Sequence, residues 1–93
     1  MTIIILKPHK SIDKIQKEYN VKLSDDELYT LAKLTVDCMI NDDYEPLEGA
    51  CMLLALRHKV PKDKIDDFVN DLCRTSIFYV KSLMLIVTKQ NKV

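Results

Sequence analysis

The residues best suited to hold a metal or carry a thiolate are His9, Cys38, Cys51, His58 and Cys73. Zinc sites draw their ligands from cysteines and histidines a few residues apart, or one helical turn apart on one face. No pair here has that spacing, so it predicts no metal centre. Cys51 and His58 come nearest to a nucleophile beside a base, but on one helix they stand about two turns apart. Carboxylates are paired at Asp25-Asp26, Asp42-Asp43 and Asp66-Asp67. Neighbours on a helix point in different directions, and the first two pairs fall where helices should begin and acids offset the macrodipole. The chain is therefore expected to be non-catalytic, with no catalytic residue, no cofactor and no metal.

Charge allows a second kind of chemistry, contact with phosphates. The formal net charge is zero, but residues 1–23 carry five lysines against two acids, residues 24–45 seven acids against one lysine, and residues 74–93 four bases and no acid. Lysines 7, 10, 14, 17 and 22 could touch a nucleic-acid backbone. Against this, tryptophan is absent, the only arginines are Arg57 and Arg74, and basic and aromatic residues do not interleave. A small nucleic-acid-associated regulator using the basic ends is the alternative reading, and a solvated surface the one favoured.

These residues must be positioned by a small protein. Ninety-three residues with 47% hydrophobic and 30% charged content make one globular domain. One glycine and three prolines leave too few tight turns for an all-β fold. The three cysteines lie on apolar faces and suit a reducing compartment. Neither a secretory leader nor a membrane-length apolar run is evident, so a soluble, cytoplasmic chain is expected.

The fold class predicted is mainly α, a bundle of four to five helices after a short N-terminal extended segment. The extended arm covers residues 1–10, with the β-branched stretch Thr2–Lys7 stopped by Pro8. The first helix covers 11–20, capped by Ser11. The second, 24–41, has the clearest signal: Ser24 and Glu27 have the spacing of a capping box, and Leu23 and Leu28 that of a hydrophobic staple. The third, 46–59, contains the apolar run Ala50–Leu56, with Pro46 at its entry and Arg57, His58 and Lys59 at its exit. A helix apolar nearly all round is expected to be wrapped by the rest of the chain. Gly49 in its first turn predicts close approach of a neighbouring backbone. The last helix, 62–88, would be about 40 Å long, which favours a break near Arg74-Thr75-Ser76.

A candidate site follows from phase. If Leu83 points inward, Ile77, Phe78 and Leu85 point out with Lys81, uncovered unless Thr2–Leu6 folds over them. A second patch is the acidic collar Asp42, Asp43, Tyr44 and Glu45, with Tyr44 as an anchor for a basic surface. These seven are the candidate partner-binding residues. The function expected is a non-catalytic protein-binding module, such as an inhibitor, antitoxin-like protein or adaptor. Its partner would be another protein or a second copy of the chain, with no membrane involved.

Overall fold

The computed structural model describes residues 10–91, with side chains to residue 83. Four α-helices follow one another: α1 (Ile12–Tyr19), α2 (Asp25–Asn41), α3 (Glu45–Arg57) and α4 (Ile65–Asn91), with a 3₁₀ turn at Lys62–Lys64 leading into the last. The protein is a small all-α bundle. The expected arm Thr2–Lys7 lies outside the described residues.

Local chemistry sets each boundary. Ser11 Oγ accepts the Lys14 N–H at 3.1 Å to start α1. Asn20 ends it in the left-handed region at φ 54°, which asparagine tolerates better than most residues. The capping box of α2 is reciprocal: the Glu27 N–H donates to Ser24 Oγ at 3.1 Å, and the Ser24 N–H donates to Glu27 Oε1 at 2.9 Å. Leu23 is buried, and Leu28 packs half-buried against the core beside it. Asp42 closes α2, also left-handed. Proline in the first turn of α3 takes a position where its missing N–H costs nothing.

The axis of the bundle is α4, which packs against each of the other three helices. Phe68 and Leu72 are fully buried and share the core with Ile15, Leu47 and Cys51. Tyr19 stands edge-on to Phe68, ring centroids 5.2 Å apart. Among the described residues every buried side-chain nitrogen and oxygen has a hydrogen-bond partner. Buried Thr35, for example, donates to the Leu31 carbonyl at 2.6 Å.

Three expectations about the helices are corrected. No break occurs at Arg74-Thr75-Ser76; α4 runs straight through. The polar pair has another use, since Thr75 and Ser76 are buried and Thr75 Oγ1 donates to the Lys10 carbonyl at 2.7 Å. The helix that organises the fold is α4 and not α3. α3 buries Leu47, Cys51, Leu54 and Ala55 but leaves Met52, Leu53 and Leu56 exposed, because its neighbours α2 and α4 cover one side of it. Nor does any backbone among the described residues approach Gly49: a Cβ there would meet none of their atoms within 4 Å.

Candidate interaction surface

The outer side of α3 is a stripe of Gly49, Met52, Leu53 and Leu56, spaced as one helical face and exposed to solvent. Leu53 is 66% exposed, Leu56 59% and Met52 39%. The opposite side of the same helix, through Leu47, Cys51, Leu54 and Ala55, is buried in the core. Alongside the stripe lies an open groove of about 320 Å³ between α2 and α3, lined by Asp26, Thr30, Ala50, Leu53 and Arg57 among others. Acids mark the stripe's N-terminal end, at Glu45 and Glu48, and bases its C-terminal end, at Arg57 and Lys59; all four are exposed.

A clasp behind the stripe fixes α3 against α2. Glu27 is the centre: His58 Nε2 lies 3.1 Å from both carboxylate oxygens, and Arg57 Nη1 donates to Oε2 at 3.1 Å. Burial works against the charge on Glu27. The Ser24 N–H, His58 and Arg57 outweigh it and hold the carboxyl down at about 2. One residue thus caps the start of α2 and ties that start to the end of α3.

A second clasp joins α1 to α4 around Asp71, which is buried. Lys10 Nζ donates to Asp71 Oδ2 at 2.7 Å and to Glu18 Oε1 at 2.9 Å, and Tyr19 OH donates to the same Asp71 oxygen at 2.8 Å. Burial first, and then that hydrogen bond, push the Tyr19 hydroxyl up to about 12. The bonds to Asp71 and Glu18 raise the Lys10 ammonium above its ordinary range. Lys10, one of the five N-terminal lysines, is therefore committed within the fold.

The seven site residues expected from sequence, in two separate patches, are unequally exposed. Ile77 packs half-buried against the core, and Phe78 is half-buried as well. Tyr79 and Leu83 are the exposed residues instead, at 57% and 44%. The inward line of α4 passes through Phe68, Leu72, Ser76 and Val80 with Ile77 packed beside it, and Leu83, three residues past Val80, is on that same side of the helix but exposed. Leu85 lies beyond the described side chains. In the collar, Asp42 is the left-handed cap of α2, and Asp43 Oδ1 accepts the Glu45 N–H at 3.2 Å to start α3. Tyr44 packs half-buried against the core, leaving Asp42, Asp43 and Glu45 exposed. Half of the collar's character is thus that of a tight helix-helix turn.

The three cysteines are free and buried. Cys51 and Cys73 face each other with Sγ atoms 3.5 Å apart, and that hydrogen bond together with burial pushes the Cys51 thiol up. Among the described residues no group of histidines, cysteines and carboxylates could hold a metal ion, and no helix is long and apolar enough to cross a membrane. Between α1, α2 and α4 a further apolar groove of about 350 Å³ is lined by Ile12, Leu28, Leu31, Ala32, Tyr79 and Val80.

The α3 stripe was missed because an unbroken apolar run reads as a wrapped helix. The available signal was Gly49, which repeats with Met52, Leu53 and Leu56 at helical spacing. Comparison with protein-family models, curated proteins and solved structures finds no match to this chain.

Proposed function

We propose that the chain is a non-catalytic protein-binding module, which acts by occupying the surface of a partner protein as an inhibitor, antitoxin-like protein or adaptor does. The observation that carries this reading is the α3 stripe. Two leucines and a methionine stand in water on a helix whose other side is fully packed. Scattered exposed apolar residues are ordinary, but an aligned set flanked by charges is how contact surfaces are built. The clasp at Glu27 supports the same reading, since it holds α3 rigidly against α2 and so presents the stripe ready-made.

The test compares wild type with the double variant Leu53→Asp, Leu56→Asp, each immobilised and exposed to an extract of the source cells. Wild type retains a protein in stoichiometric amount; the variant, with an unchanged helical circular-dichroism signal, does not. Identical retention by both removes the stripe from the function.

A further inference from the structure

Two features of the α3 stripe have no explanation among the described residues of one chain. Glycine inside a helix costs backbone entropy. At Gly49 the fold gives nothing in return: φ is not positive, and a side chain would meet open space. Beside it, Leu53 and Leu56 are more than half exposed. A bare backbone next to projecting leucines is what a second helix requires for close, interlocked packing.

The charges give the direction. Glu45 and Glu48 stand at one end of the helix and Arg57 and Lys59 at the other, all exposed. A helix of the same kind laid antiparallel sets acids beside bases at both ends; laid parallel, it sets like beside like. We propose that the α3 stripe pairs antiparallel with the α3 stripe of a second copy of this chain, about a two-fold axis between residues 52 and 53. This rests on the reading of α3 as a protein-contact surface and names its partner.

In that register Gly49 lies opposite the partner's Leu56, and symmetry repeats the match on the other side of the axis. Met52 and Leu53 meet the same pair of the second copy at the centre. The open groove between α2 and α3, which Leu53 and Ala50 help to line, adjoins this seam and receives apolar side chains from across it.

Cysteine crosslinking reads both the pairing and its direction. The native thiols are buried, so an introduced surface thiol is the reactive one. Leu53→Cys places the two new thiols beside the axis, and mild oxidation with copper–phenanthroline joins two chains into a covalent dimer. Gly49→Cys places them about 10 Å apart along the helices, too far for a disulfide, and the chains stay separate. Crosslinking of both variants overturns the antiparallel register, and crosslinking of neither overturns the stripe as the seam. Sedimentation of the unmodified chain over a concentration series gives a mass approaching twice 10.8 kDa. One-chain mass throughout overturns self-pairing but leaves the protein-contact reading standing. That reading falls instead if the Leu53→Asp, Leu56→Asp chain retains from extract whatever wild type retains.

Discussion

Glu27 offers the sharpest test of how the bundle is held together. Glutamine at this position can still accept the Ser24 N–H and complete the capping box, so Glu27→Gln removes the charge and spares the cap. Holding the carboxyl at about 2 instead of its ordinary 4.5 corresponds at face value to about 3 kcal/mol. Arg57 is 69% exposed, and solvent screens its share, which leaves about 1–2 kcal/mol. For a domain of this size that is a fall in melting temperature of about 5–15 °C at pH 7. The pH dependence carries the sign. The folded carboxyl binds its proton less tightly than the unfolded one, so the stabilisation is complete above about 4.5 and drains as pH falls towards 2. Thermal unfolding by circular dichroism at a series of pH values should show the two proteins well apart at pH 7 and converging below pH 4. Equal melting at pH 7, or a constant gap down to pH 2, would refute the clasp.

Other substitutions separate core from surface. Phe68→Ala removes a fully buried ring and should cost about 3–5 kcal/mol, whereas Leu56→Ala should change the stability of the dissociated chain by no more than about 0.5 kcal/mol; chemical denaturation measures both. Tyr19→Phe deletes one hydrogen bond to Asp71 and should cost about 1 kcal/mol in the same assay, the Lys10 bond remaining. Gly49→Ala should stabilise the dissociated chain by about 0.5–1 kcal/mol while weakening its self-association, a pairing of effects that melting at two concentrations detects. Cys51 and Cys73 should resist iodoacetamide in the native protein and react once guanidinium unfolds it, as counted by mass spectrometry.

The parts of this fold that were legible from sequence are those decided within one helical turn. Ser24 and Glu27 announce their helix because both partners of the capping box lie three residues apart. Ser11, Asn41 and Pro46 mark their boundaries to within a residue or two for the same reason. What sequence could not supply are the pairings made across the bundle. Lys10 reaches Asp71 over 61 positions and Glu27 reaches His58 over 31, and no local pattern links either pair. A break at Arg74-Thr75-Ser76 was expected from helix length alone, while the bond from Thr75 to the Lys10 carbonyl, 65 positions away, was out of sight. The exposure of the α4 surface was hard to read for a related reason. On α4 the apolar residues nearly encircle the helix, so its phase is set by which line meets α1, α2 and α3, and that is known only once they pack. On α3, seven consecutive apolar residues hide the distinction between a buried side and a free one.

On the proposed reading, α3 keeps its outer leucines for contact and not for its own chain. Light scattering on wild type and on Leu53→Asp, with thermal unfolding of each at low concentration, tests it most directly. The expected result is about twice the 10.8 kDa chain mass for wild type, a single chain for the variant, and melting temperatures for the dilute chains within a few degrees of each other. A wild type of one-chain mass together with a variant that melts far lower would contradict it, because Leu53 would then be serving the fold of its own chain.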